Sequence, residues 1–175
     1  MPRKHLIIAA AAAGALASLV GWANLPDSPP LSAGAVADRV VVEKSARTLT
    51  LLRHGTVLKR YRVALGGEPR GPKRRKGDER TPEGVYRLDY RNPRSNAHLA
   101  LHVSYPDSAD VARARAEGVP PGDLIMVHGI INGLGWVGRL HRLADWTDGC
   151  VAVTNREMDE IWRAVPVGTP IEIRP

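Results

Sequence analysis

Short apolar runs separated by turn residues dominate the chain from residue 39 onward. Residues 39–44, 48–53 and 57–64 alternate or cluster Val, Leu and Thr, and Arg53-His54-Gly55-Thr56 lies between the second and third runs. Such runs around a Gly-containing turn predict an antiparallel meander with a hairpin at that turn. A long polar stretch, 66–77, comes next, and Thr81-Pro82-Glu83-Gly84 marks a turn into a strand over 85–90. Residues 98–104, 124–127, 150–153 and 171–173 are further short strands by the same pattern. Two segments carry helical signals instead. Residues 108–117 are rich in Ala and Arg and stop at Gly118 before Pro120-Pro121. Thr154 and Glu157 form a capping box ahead of Met158, Ile161, Trp162 and Val165, which share one helical face. The pattern predicts a mainly β domain with short helices over residues 38–175.

The first 23 residues break this pattern. Arg3, Lys4 and His5 precede Leu6-Ile7-Ile8, an alanine run and Leu16-Ala17-Ser18-Leu19-Val20. A basic start and an apolar middle are the layout of a secretory signal, and Gly21-Trp22-Ala23 supplies small residues for a cut after Ala23. An uncleaved anchor is the competing reading, because the 18 residues from Leu6 to Ala23 approach the about 20 needed to span a bilayer. Residues 24–37, with three prolines, read as a linker. The expectation is a signal peptide or signal anchor over 1–23, a linker over 24–37 and an exported domain, in the periplasm or cell envelope. Membrane contact is then made only through the N-terminal segment, if it is retained.

Composition narrows the picture further. The chain has no Phe and 5% aromatic residues, so Val, Leu, Ile and Ala must fill the core, which favours strands. The net charge of +7 raises nucleic acid, anionic surfaces and acidic polymers as partners. Export excludes nucleic acid, and the basic cluster at Arg70, Lys73, Arg74, Arg75 and Lys76 has no interleaved aromatics on which bases would stack. That cluster reads as a solvated loop, with an anionic cell-wall or membrane surface as the alternative.

Cys150 is the only cysteine, so an internal disulfide is excluded and the thiol is either buried filler or a reactive group. It follows Thr147-Asp148-Gly149, a turn of small residues. His128 ends an apolar run and precedes Gly129, 22 positions earlier. A lone Cys is commonly core and a lone His commonly a structural hydrogen-bonder. A His placed beside a Cys instead supplies a base and lowers the thiol pKa.

The combination of Met126-Val127-His128-Gly129 with Asp145-Trp146-Thr147-Asp148-Gly149-Cys150-Val151-Ala152-Val153-Thr154-Asn155 resembles the YkuD-type L,D-transpeptidase catalytic domain. The segments Lys76-Gly77-Asp78, Arg80-Thr81-Pro82-Glu83-Gly84, Tyr86 and Leu101-His102-Val103-Ser104-Tyr105-Pro106 extend the resemblance across residues 38–175. It implies a YkuD-like β-sandwich with short helices. It also implies an enzyme acting on peptidoglycan stem peptides, with Cys150 as nucleophile, His128 as base and the N–H groups of Gly149 and Cys150 holding the oxyanion. An amine acceptor would then give 3→3 cross-links, with no metal or organic cofactor. Two departures stand out: Thr147-Asp148 where many relatives have Ser-His, and Ala152 where an Arg or Asn is frequent. The missing cation leaves substrate-carboxylate binding unassigned. Arg139, Arg142 and Arg156 are candidates for it, and His102, His141 and Thr147 for the substrate groove. His98, His102, His128 and Cys150 also form a conceivable zinc set, which the motif context argues against. Two rival functions remain: an L,D-carboxypeptidase or amidase in which water replaces the amine, and a non-catalytic cell-wall binding module.

Overall fold

The computed structural model describes residues 2–175 and, within the N-terminal helix, the side chains from residue 13 on. Helix α1 (Pro2–Ala23) is followed by strands β1 (Arg39–Glu43), β2 (Thr48–Arg53) and β3 (Thr56–Arg62), which form the meander the alternation predicts. The β2–β3 turn has positive φ at His54 (50°) and Gly55 (78°), the twist that a two-residue hairpin loop requires. Then come β4 (Gly84–Asn92), β5 (Ala100–Val103), helix α2 (Ser108–Ala116), β6 (Met126–His128), β7 (Val151–Ala152), helix α3 (Asn155–Ala164) and β8 (Thr169–Arg174). The Thr154/Glu157 capping box starts α3, and Asp107 with Asp110 forms a second one at α2.

These strands make one eight-stranded sheet in the order β3-β2-β1-β8-β4-β5-β6-β7. The β1/β8 and β6/β7 pairs are parallel and the others antiparallel. A parallel neighbour demands a long crossover. Between β6 and β7 it is supplied by residues 129–150, which carry a 3₁₀ segment, Gly135–Leu143. The sheet curls until its ends meet: Ala64, just past β3, exchanges hydrogen bonds of 2.9 and 2.8 Å with Ala152 of β7. Where a sandwich was expected, the structure therefore shows a single curled sheet. Its inner face is lined by Val40, Leu49, Leu51, Val103, Val127, Val151 and Ile171, all buried, with Met158 and Ile161 of α3 packed on them. Trp162 is only partly buried against this core, under the Arg91 guanidinium.

Residues 22–27 contact the 3₁₀ segment of the domain. Asp27 pairs with Arg139 at 2.8 Å and with Arg142, Asn24 donates to the Trp136 carbonyl, and the Arg139 guanidinium lies 3.9 Å from the Trp22 ring centroid. Gly138 (φ +53°) makes this approach possible, because a Cβ there would lie 2.3 Å from the Ala23 carbonyl oxygen. Much of the leader expected over 1–23 falls on residues whose side chains lie outside the described ones. Among the described residues, no helix is long and apolar enough to cross a membrane.

Candidate active site

Strands β6 and β7 bring the nucleophile and base candidates to one face. The register pairs Val127 with Val151 and His128 with Ala152. Side chains alternate along strands, so buried Val127 and Val151 point to the core while His128 and Cys150 belong to the opposite face. That face opens into a cleft of about 700 Å³ lined by Cys150, His128, Trp146, Thr147, Met126 and Lys73, among others.

Cys150 is partly exposed. Its sulfur accepts from the Met126 N–H at 3.4 Å and lies 3.6 Å from the Leu124 carbonyl, and the His128 ring is not among its hydrogen-bond partners. Burial pushes the thiol up, aided by the charge of Asp148, while the Met126 N–H and the charge of Lys73 pull the other way. A thiol lowered by its imidazole, as expected from sequence, is thus not the resting state.

The turn before Cys150 is closed on itself. Thr147 Oγ1 donates to the Cys150 carbonyl (2.8 Å) and accepts from the Gly149 N–H (3.2 Å). The Gly149 N–H is already engaged, and the Thr147 hydroxyl, although its residue lines the cleft, is turned to the backbone. The Cys150 N–H has no hydrogen-bond partner among the described residues, so it is the amide available to an oxyanion. Gly149 itself has φ +125°, and a Cβ there would sit 2.4 Å from the Arg80 carbonyl oxygen. The turn is therefore wedged under the 79–81 segment, where Thr81 Oγ1 accepts from the Gly66 N–H.

His128 Nδ1 lies 2.6 Å from the Gly129 carbonyl. A carbonyl only accepts, so Nδ1 carries the proton and Nε2 keeps a free lone pair. Burial lowers the His128 pKa against the opposing effect of that hydrogen bond, and the ring is neutral at pH 7. The Trp146 ring meets it edge-on, with centroids 5.8 Å apart. Behind Trp146, the buried His141 accepts from the indole N–H at 3.4 Å, and its own Nε2 has no partner among the described residues. Burial, with the charges of Arg142 and His128, brings the His141 pKa down to about 3. His141 thus stands behind the cleft wall, where the sequence had it in the groove.

The remaining candidates lie elsewhere. Arg139 and Arg142 hold Asp27 and, for Arg142, Glu157 (2.6 Å), away from the cleft; their pairing with the linker was invisible in sequence because Asp27 is more than 100 residues distant. Arg156 lines a separate small cavity with them. His102 stacks on Tyr90 and bonds Asp89 at 2.6 Å, and His98 bonds Asp159 at 2.7 Å. Among the described residues no three His, Cys, Asp or Glu side chains are grouped to hold a metal ion.

Two residues without a role predicted from sequence bear on the site, Lys73 within the cleft and Asn155 outside its lining. Lys73, placed in a solvated loop, is 3% exposed and lines the cleft. Asn155, in the segment just after Cys150, accepts from the Ile130 N–H at 2.8 Å and packs where any Cβ on Gly129 or Gly135 would fall. Its position in the nucleophile motif was the available signal.

The L,D-transpeptidase catalytic domain profile, YkuD, matches residues 37–173. YafK of Escherichia coli (strain K12), provisionally named an L,D-transpeptidase, is 30% identical over 132 residues, covering 72% of this chain and 46% of YafK. The chain thus spans about half the length of this curated relative. In fold it is similar to the helical cell shape determining protein Pgp2 from Campylobacter jejuni (TM-score 0.61, 19% identity, 89% of this chain and 53% of that one). It is similar also to an L,D-transpeptidase from Mycobacterium smegmatis (TM-score 0.52, 19% identity, 79% of this chain and 59% of that one).

Proposed function

Because the chain belongs to the YkuD family of L,D-transpeptidase catalytic domains, we propose that it performs acyl transfer on peptidoglycan stem peptides through a thioester on Cys150. The observation that supports this reading is the shared face of β6 and β7, from which Cys150, next to Met126, and a neutral, Nδ1-anchored His128 both line one cleft. In the first half-reaction, Cys150 Sγ attacks the carbonyl carbon of the third stem residue. His128 Nε2 takes the thiol proton, and the Cys150 N–H faces the developing oxyanion. Collapse breaks the C–N bond to the terminal D-Ala, whose amine leaves with the proton that His128 returns. In the second half-reaction, an amine of another stem attacks the thioester carbon, His128 removes its proton, and the sulfur departs and is reprotonated. A 3→3 cross-link or a related amide results. The chemistry of both halves is proton transfer and nucleophilic displacement by side chains. The basic-then-apolar leader supports export to the periplasm or envelope, where such stems are found.

The test is product analysis on a disaccharide-tetrapeptide. A dimer that has lost one D-Ala is expected from the wild-type chain and no product from Cys150→Ala. Tripeptide alone would reassign the protein as an L,D-carboxypeptidase. If neither product forms and a carbapenem leaves Cys150 unacylated, a binding module remains and the catalytic reading is lost.

A further inference from the structure

A stem-peptide substrate carries carboxylates close to its scissile bond, yet Arg139 and Arg142 are tied to Asp27 and Arg156 lies exposed beside a separate cavity. Position 152, two residues after the nucleophile, is Ala. The cleft nevertheless has a built-in cation. Lys73 is almost completely buried yet belongs to the cleft lining, and its charge acts on the Cys150 sulfur. A buried ammonium is costly unless it is paired and hydrogen-bonded. Its single hydrogen-bond partner among the described residues is Asp78, at 2.7 Å. An ammonium has three N–H donors, so two are left without a protein acceptor. Asp78 is itself shared: it also accepts the backbone N–H groups of Arg74 (2.7 Å), Arg75 (3.0 Å) and Arg80 (3.2 Å). One carboxylate divided among four donors does not saturate the lysine. The stem of Lys73 is held in place as well, because Gly122 (φ +86°) approaches so closely that a Cβ there would lie 3.0 Å from Lys73 Cε.

We propose that Lys73 is the carboxylate-binding residue of the cleft, selecting peptides with a free carboxylate next to the bond under attack. This rests on the acyl-transfer reading above. Two carboxylates fit: the side-chain carboxylate of the third stem residue and the terminal carboxylate of the departing D-residue. Lys76, exposed at the cleft rim, is the competing cation.

The experiment compares three tetrapeptide donors with the full-length chain: both carboxylates free, the side-chain carboxylate amidated, and the C-terminal carboxylate amidated. Wild type should lose roughly ten- to a hundredfold in kcat/KM, mainly through KM, when one of the two is amidated, the scale of a hydrogen bond to a charged group. The sensitive amide identifies which carboxylate is held. Lys73→Met should lose a similar factor on the free acid and nothing further on that amide, whereas Lys76→Met should keep the wild-type pattern. A structural role for Lys73 would lower all three donors by the same factor, and that result overturns the proposal. So does a wild type indifferent to both amidations, a comparison that holds even if Lys73→Met fails to fold. Affinity of the same peptides for Cys150→Ala separates this idea from the catalytic one. Tighter binding of the free acid there supports Lys73 even if no turnover is found, and equal binding rejects it.

Discussion

Cys150 and His128 are driven away from an ion pair by the same cause. Burial raises the thiol and lowers the imidazole, so each is neutral at pH 7. Alkylation of Cys150 by iodoacetamide should accordingly rise with pH to a midpoint above 9, and a plateau already reached at pH 7 would show a preformed thiolate instead. His128→Ala should cut turnover by roughly 10²- to 10⁴-fold, the range of general-base catalysis, with the alkylation midpoint little moved. Gly149 makes a second demand at this scale. Alanine there meets both a disfavoured φ of +125° and the Arg80 carbonyl at 2.4 Å, so Gly149→Ala should cost about 3 kcal/mol or more in urea unfolding. Gly55, also at positive φ but with nothing near its missing Cβ, should lose only about 1–2 kcal/mol as Gly55→Ala. Equal losses at the two sites would remove the argument for a wedged turn.

Helix α3 begins with two neighbouring residues that do different work. Thr154 caps the helix, accepting from the Glu157 N–H, whereas Asn155 reaches back to Ile130 and fixes the loop whose Gly129 carbonyl orients His128. Thr154→Ala should therefore cost about 1 kcal/mol of stability and leave Cys150 acylation by substrate near its wild-type rate. Asn155→Ala should slow acylation by roughly tenfold through a loosened base, with a smaller change in the urea midpoint. If both variants affect stability alone, Asn155 has no positioning role. The capping box, the His54-Gly55 hairpin, and the Cys and His motifs were legible in the sequence because each depends on residues within a few positions of one another. The burial of Lys73 was not legible, nor that of Lys44, which bonds the Gly71 and Thr81 carbonyls and Glu83. Both lysines take partners from a Gly- and Pro-rich stretch whose path is set by tertiary contacts. The 3₁₀ segment was hidden for a similar reason: Gly138 is required by the Ala23 carbonyl, which no local pattern reveals.

Closure of the sheet is the property that only the whole molecule has. Alternation predicted the strands, but not that Ala64 and Ala152 would join the two ends, nor that Thr147, near the end of the crossover 129–150, would bond Leu65 and Gly67 beyond β3. His141, in that crossover, is buried against Trp146 and gives the molecule an acid-sensitive point. In the unfolded chain His141 takes up a proton as pH falls through 6.5, while the folded state refuses it until about 3. Because the folded pKa is depressed below the unfolded one, the contribution is fully present above pH 6.5 and is lost between there and pH 3, at about 1.4 kcal/mol per unit. His128, lowered by the same burial, adds to the loss in the same direction. Between pH 7.5 and 5.0 the His141 share is about 2 kcal/mol. His141→Gln removes this titration and keeps an acceptor for the indole N–H, so carboxylate effects common to both proteins cancel in the comparison. Urea unfolding at the two pH values should show wild type losing about 2 kcal/mol more than His141→Gln. Identical losses would mean that the imidazole is reached by solvent, and that the crossover does not close the wall behind Cys150 and His128.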